Sequence, residues 1–135
     1  MPAETELKKL VQSMQPILNE GRYVFAVQPP KTKTPDHVIG LFREKEGNTL
    51  ILKKEDADRL NLAYEFIAAW ITLQVHSSLE AVGLTAIFAS ELARFDIGCN
   101  VVAGYYHDHI FVDYKDGEKA IKVLTELSED YRNRT

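Results

Sequence analysis

The stretch over residues 70–114 is the least polar and most strongly patterned part of the chain. From residue 70 to 75, apolar and polar side chains alternate, which is the period of a strand with one buried face. Apolar residues then recur at helical spacing, which predicts a helix after a loop at residues 76–78. The apolar stripe of that helix consists of Leu84, Ile87, Phe88, Leu92 and Phe95, and Gly98 is expected to close it.

Two short apolar runs and a second helical pattern complete this stretch. The runs at residues 99–105 and 109–114 predict two strands, and residues 104–108 between them are short enough for a hairpin turn. Asp116 and Gly117 lie where a helix would begin, before apolar residues at helical spacing. The order strand, helix, strand, strand, helix is the split βαβ arrangement of ferredoxin-like domains without its last strand.

The first half of the chain has a similar alternation of strands and helices. Pro16 is expected to end or kink the first helix. The predicted elements are a helix at 5–14, strands at 22–28, 38–43 and 49–54, a short helix at 55–62 and an apolar segment at 64–69. The strand at 22–28, or another strand of this half, is expected to complete one antiparallel sheet that both halves share, with the helices on one face.

Parts of this pattern resemble a known family. The segments HSSLEAVGLTAIFASELARFDIGCNVV and GYYHDHIFV resemble the ACT domains of small stand-alone proteins with two ACT-like halves and, more distantly, the regulatory domains of aspartate kinases. Gln15-Pro16 and Tyr23-Val24-Phe25 carry the resemblance in the first half. It implies an α+β, ferredoxin-like βαββαβ fold, with an N-terminal half at 1–65 and a C-terminal ACT domain at 66–135.

Composition and charge narrow the classes of partner. With 135 residues, 45% hydrophobic and 27% charged, the chain is expected to be a soluble globular protein. We find no apolar run long enough to span a membrane and no signal peptide, so we expect a cytoplasmic protein without a membrane partner. Residues 69–135 carry the whole net charge of −4, and they contain no cluster of lysine or arginine. This pattern argues against nucleic acid as a partner.

The only cysteine of the chain is Cys99, so no internal disulfide can form. Its neighbours Ile97, Val101 and Val102 are apolar. We therefore expect a buried, inert thiol rather than a nucleophile or a redox centre.

The loop before the first helix of the second half is the strongest candidate for a ligand site. Unpaired N–H groups at a helix N-terminus can hold a carboxylate, and Gly83 allows close approach of a ligand. The alternatives are that Ser77 or Ser78 only caps the helix and that Gly83 only eases packing. The family resemblance implies an amino-acid ligand where this loop meets the second strand, across an interface between domains. The candidate residues are Ser77, Ser78, Glu80, Gly83, Leu84 and Asn100.

Two of these residues have competing roles. The amide of Asn100 can accept from a ligand ammonium and donate to its carboxylate, or it can pair with backbone at a strand edge. Glu80 can accept from an ammonium group, or it can simply complement the helix dipole. The hypothesis is a non-catalytic regulatory module without a cofactor or a bound metal, acting as a homodimer.

Two other functional classes remain open. His107 and His109 lie two apart in a strand, and with His76 they could converge on a metal in a small metal-dependent enzyme. Paired surface or hydrogen-bonded imidazoles are the simpler interpretation. The third class is a structural dimerisation module, with Tyr105 and Tyr106 at a dimer seam.

Overall fold

The computed structural model describes residues 2–75 and 83–134. These residues form four helices and seven strands with a short 3₁₀ turn before the last helix. In chain order the elements are α1 (Pro2–Ser13), β1 (Gln15–Leu18), β2 (Tyr23–Gln28), β3 (Gly40–Arg43), β4 (Asn48–Lys53), α2 (Lys54–Arg59), β5 (Ala63–Gln74), α3 (Leu84–Arg94), β6 (Asn100–Ala103), β7 (Asp108–Asp113), the 3₁₀ turn (Tyr114–Asp116) and α4 (Gly117–Arg132).

All seven strands join one antiparallel sheet through the long strand β5. The order is β3-β4-β2-β5-β7-β6, and β1 pairs with β5 as well. The first part of β5 pairs with β2, with Ala63 opposite Val27. The last part pairs with β1 on the same side, with Gln74 opposite Gln15, and with β7 on the other side. The shared antiparallel sheet predicted from the sequence is therefore confirmed.

Each half of the chain has its own version of the ferredoxin-like arrangement. In the second half the sheet is β1-β5-β7-β6, so β1 takes the place of the missing last strand. In the first half the sheet is β5-β2-β4-β3, and residues 29–39 form turns where the first crossover helix would lie. The sequence pattern did not predict β1. It is only four residues long and contains Pro16, which an edge strand tolerates.

The helices cover one face of the sheet, as predicted. Ile71 and Leu73 of β5 are fully buried against Phe88 of α3 and Leu124 of α4. The side chain of Ser128 on α4 donates to the backbone oxygen of Val11 at 2.7 Å, which fixes the end of α1 against α4. None of the described helices is long and apolar enough to cross a membrane.

The opposite face of the sheet is aromatic. Trp70 stacks on Phe111 with ring centroids 6.2 Å apart, and Phe25 meets Phe111 edge-on at 5.2 Å. These rings cover Ala68 and Ile51, which are buried on this face although no described helix lies over them. This aromatic surface includes the contact between Trp70 and His109 of β7.

Three details differ from the sequence-based expectations. The helix α3 ends at Arg94 rather than near Gly98, because Asp96 takes a left-handed conformation with φ 61°. Phe95 is 38% exposed instead of completing the buried stripe. The segments expected at 64–69 and 70–75 are one continuous strand, β5. The proposed division between residues 65 and 66 lies inside this strand and stays a prediction.

Candidate functional site

The candidate ligand loop leads into α3. Gly83 is the N-cap residue of this helix and has φ 97°, a conformation that side chains strongly disfavour. Leu84 is 3% exposed and packs in the core, so only its backbone can face a ligand. Ser77, Ser78 and Glu80 lie outside the described residues. The structure therefore describes only the helical end of this loop.

Asn100 begins the edge strand β6, and its side chain is exposed. Its Nδ2 donates to the backbone oxygen of Phe111 at 3.3 Å. This bond is the strand-edge pairing that the sequence left as the alternative role. It uses one of the two N–H donors of the amide, so the side chain can still donate to a carboxylate and accept from an ammonium group.

The histidine cluster is tied into the aromatic face. His109 Nδ1 accepts a hydrogen bond from Trp70 Nε1 at 3.0 Å and lies 3.3 Å from Thr72 Oγ1. Burial lowers the pKa of His109, and the neighbouring His107 lowers it further, while Asp108 opposes the shift. The neutral imidazole with its proton on Nε2 is the form that accepts from Trp70.

No group of three metal-ligating side chains is found within residues 2–75 and 83–134. The Nδ1 atom of His109 is already occupied by Trp70, and Nδ1 of His107 is buried without a hydrogen-bond partner among these residues. Burial raises the pKa of Asp108. His76, the third ligand of the metal hypothesis, lies outside the described residues, so that hypothesis stays a prediction.

The turn between β6 and β7 carries two exposed aromatic side chains. Tyr105 is 76% exposed and Tyr106 is 66% exposed, and their rings meet edge-on at 4.9 Å. The hairpin predicted here is closed by a bond from Gly104 N to His107 O of 2.9 Å. The pair lies next to the edge strand β6, which is where a strand of a second chain could pair.

Cys99 follows the expectation for an inert thiol. It is half-buried beside the core, and burial raises the pKa of its thiol to about 11. The reactive thiolate is therefore scarce at neutral pH.

The structure also contains a cleft that the sequence did not predict. It has a volume of about 510 Å³ and lies where β1 and β5 meet the start of α4. Its walls are the turn after β1 and the 3₁₀ turn with the start of α4. Because its lining comes from three distant parts of the chain, no local motif could have revealed it.

Two family models described as ACT domains match the chain, one over residues 2–69 and the other over residues 65–126. The chain belongs to the ACT-domain family. The two matches of this ACT protein overlap within β5, the strand that both halves of the sheet use.

Solved structures similar to this ACT protein agree with the family. A Vibrio cholerae protein of unknown function, described as a possible transport protein, is 44% identical with a TM-score of 0.82, covering 93% of this chain and 98% of that one. An Agrobacterium tumefaciens protein is 19% identical with a TM-score of 0.68, covering 85% and 89%. The ligand-free regulatory subunit of aspartate kinase from Thermus thermophilus is 10% identical with a TM-score of 0.55, covering 83% and 95%.

A search of curated protein sequences gives no match. Family membership confirms the resemblance and the ferredoxin-like fold expected from the sequence. It also supports a regulatory, ligand-binding role for this ACT protein.

Proposed function

We propose that this ACT protein is a non-catalytic regulatory module that binds a small amino-acid-like ligand. The proposed site combines the loop before α3 with the first residue of β6. Its residues are Ser77, Ser78, Glu80, Gly83, Leu84 and Asn100. The proposal includes a homodimer in the cytoplasm, which signals ligand occupancy through a domain or subunit interface.

The observation that carries this proposal is the start of α3 within an ACT fold. Gly83 places no side chain over the first turn of this helix, and its N-cap position supplies no side-chain hydrogen bond. The first backbone N–H groups of a helix lack partners within the helix and lie at its positive end. They suit the carboxylate of an amino acid, while Oδ1 of Asn100 suits the ammonium group.

The edge strand β6 supports the interface part of the proposal. Asn100, Val102 and Ala103 are exposed along this strand, and the Tyr105–Tyr106 pair lies just beyond it. Pairing of β6 with its copy around a twofold axis would place two Asn100 side chains at one seam. A ligand bound there would favour one arrangement of the paired sheets, which gives a coupling free energy between binding and assembly.

The test is a thermal-shift screen of the whole chain against the twenty common amino acids. A ligand at about 100 times its dissociation constant adds about 2.7 kcal/mol of stability, which corresponds to a rise of several degrees. We expect one amino acid to raise the midpoint of the wild type and to have no effect on Asn100→Ala. The matched control is Asn133→Ala, since Asn133 is exposed beyond the C-terminus of α4.

No shift with any amino acid would contradict the ligand proposal. A shift that persists in Asn100→Ala would support ligand binding but would show that Asn100 is not part of the site. Equal loss of the shift in Asn100→Ala and Asn133→Ala would indicate a general effect on the fold rather than on a ligand contact.

The exposed tyrosine pair favours a second candidate function, a structural dimerisation module that binds no ligand. Tyr105 and Tyr106 are the most exposed aromatic side chains near β6. Sedimentation of wild type and of Tyr105→Ser/Tyr106→Ser measures this role directly. A dimer that the double variant dissociates, combined with no amino-acid shift, would favour the structural module over the regulator.

A further inference from the structure

The cleft beside β1, β5 and the start of α4 has the size of a small-molecule binding site. Its volume of about 510 Å³ falls in the range of small-molecule sites. Ala69 of β5 and Leu18 of β1 line its floor, on the side of the sheet that the helices cover. Gly117 brings α4 against this floor, since a Cβ atom there would lie 3.0 Å from Cβ of Ala69.

Side chains of both charges line the cleft. Glu20 comes from the turn after β1, Lys115 from the 3₁₀ turn and Glu118 from the first turn of α4. The ion pairs found in the described part of the chain join other residues, all on α2 and α3. Glu20, Glu118 and Lys115 therefore form no salt bridge with one another.

Apart from Tyr114, the other lining side chains are apolar or already hydrogen-bonded. Leu18 is 40% exposed although it is a large aliphatic residue, and the surface that it exposes lines the cleft. The amide of Asn19 donates to Thr72 Oγ1 at 2.9 Å, so it is committed to the sheet. A lining that combines an apolar floor with charges of both signs suits a short aliphatic chain that carries both charges, because an isolated charge would leave part of the lining unmatched.

We propose that this cleft binds a small zwitterion, with its ammonium group against Glu20 and Glu118 and its carboxylate against Lys115. The site differs from that of the proposed function, since the described residues of that site, at positions 83, 84 and 100, do not line the cleft. The cleft lining comes from β1, β5 and α4 and from the turns that lead into β2 and α4. A bound zwitterion therefore holds the turn after β1 against the start of α4.

The test is titration calorimetry of the whole chain at low salt with 4-aminobutyrate as the probe. Butylamine and butyrate serve as analogues that carry only one of the two charges. We expect saturable binding of 4-aminobutyrate and at least about tenfold weaker binding of either analogue. Glu118→Gln and Lys115→Gln should each weaken binding about fivefold, the effect of losing one partly exposed charge contact.

Matched controls are Glu126→Gln and Lys122→Gln, which remove the same charges from exposed positions of α4 outside the cleft. Both controls and Asn100→Ala should bind the probe as the wild type does. Thermal midpoints of all variants verify the fold. If Glu118→Gln is unstable, Lys115→Gln and Glu20→Gln decide the question.

Three results would overturn the proposal. The first is no saturable heat up to about 10 mM probe. The second is binding that none of the cleft variants weakens. The third is equally tight binding of butylamine, which would show a site for cations only. Loss of binding in Asn100→Ala, with the cleft variants unaffected, would assign the probe to the loop site instead.

Discussion

Trp70 and His109 lie on neighbouring strands of the sheet and form a hydrogen bond that no sequence pattern predicts. Trp70 donates to Nδ1 of His109 and stacks on Phe111. A protonated imidazole has no acceptor for this bond. The strand pairing that places His109 opposite Thr72 brings the two rings together. At this scale the structure places His109 in an aromatic environment, with its Nδ1 atom hydrogen-bonded to Trp70 and its pKa lowered by burial.

The lowered pKa of His109 makes stability depend on pH. The folded state resists protonation, so the unfolded state binds more protons as pH falls below the ordinary histidine pKa of about 6.5. The stabilisation is complete above that pH and is lost as pH falls towards the lowered pKa of the folded state. We expect urea denaturation, followed by Trp70 fluorescence, to give a smaller free energy of unfolding at about pH 5.5 than at about pH 8.

His109→Asn keeps an acceptor for Trp70 but cannot titrate, and it should reduce this pH difference. The control is His37→Asn. His37 is exposed and has φ 66°, a conformation that asparagine tolerates. An undiminished pH difference in His109→Asn, or an equal reduction in both variants, would contradict the assignment to His109.

The sequence could predict residue types for a ligand site but not all of their environments. The family resemblance selected Leu84 and Asn100, which match the place where the loop meets the second strand. The structure shows that Leu84 is buried and that Asn100 already donates to Phe111, because the depth of a helix end and the register of a strand depend on tertiary packing. The residues of the cleft could not be predicted, since β1 was not recognised.

At the scale of elements, regular apolar periodicity predicted most helices and strands, whereas their ends depended on local backbone conformation. The strong stripe of α3 was visible, but its end at Arg94 is set by the left-handed Asp96. The sequence pattern divided strand β5 into two pieces, at residues 64–69 and 70–75. In the structure it is one strand, and its partner on one side changes from β2 to β1 along its length. Its pairing with β2 is also irregular between Val24 and Ala26.

The start of α3 gives a prediction at this scale. Gly83→Ala should destabilise the protein by about 1–2 kcal/mol, since an alanine at φ 97° is strained. Its Cβ would also lie 3.2 Å from Cδ2 of Leu7. Gly98→Ala is the matched control, because a Cβ atom at Gly98 would meet no described heavy atom of a non-adjacent residue within 4 Å, and its φ is not positive. We expect the control to stay within about 0.5 kcal/mol of the wild type.

Urea denaturation of both glycine variants measures this difference. Equal stability of Gly83→Ala and Gly98→Ala would show that the backbone at residue 83 can relax without cost. It would also remove the conformational argument for a glycine at the candidate ligand loop.

At the scale of the whole molecule, the N-terminal segment belongs structurally to the second half. Strand β1 pairs with the end of β5, and α1 packs on α4 through Val11, Met14 and the Ser128 hydrogen bonds. The order of the strands along the chain therefore differs from their order in the sheet. Counting predicted strands showed that the second half lacked one, but only the structure identifies β1 as the strand that completes it.

This arrangement predicts that residues 20–135 do not fold cooperatively alone. Removing residues 1–19 deletes β1 and exposes the core beneath Val11 and Met14, which are 1% and 2% exposed in the whole chain. Burial of two such side chains contributes about 1.5–3 kcal/mol each, and the strand pairing with β5 is lost as well. These losses are large compared with the net stability of a domain, about 5–15 kcal/mol.

Adding a peptide of residues 1–19 to the 20–135 fragment should restore a cooperative transition. Trp70 reports on this association, because its backbone oxygen accepts hydrogen bonds from the backbone N–H and Nδ2 of Asn19 in the peptide. The same peptide with Val11→Asp is the matched control and should fail, since a carboxylate would replace a fully buried side chain. A fragment that unfolds as cooperatively and at the same urea concentration as the whole chain would show that the second half is complete without β1. Rescue by the Val11→Asp peptide would show that α1 contributes nothing to docking, and only the strand pairing would then remain to explain the association.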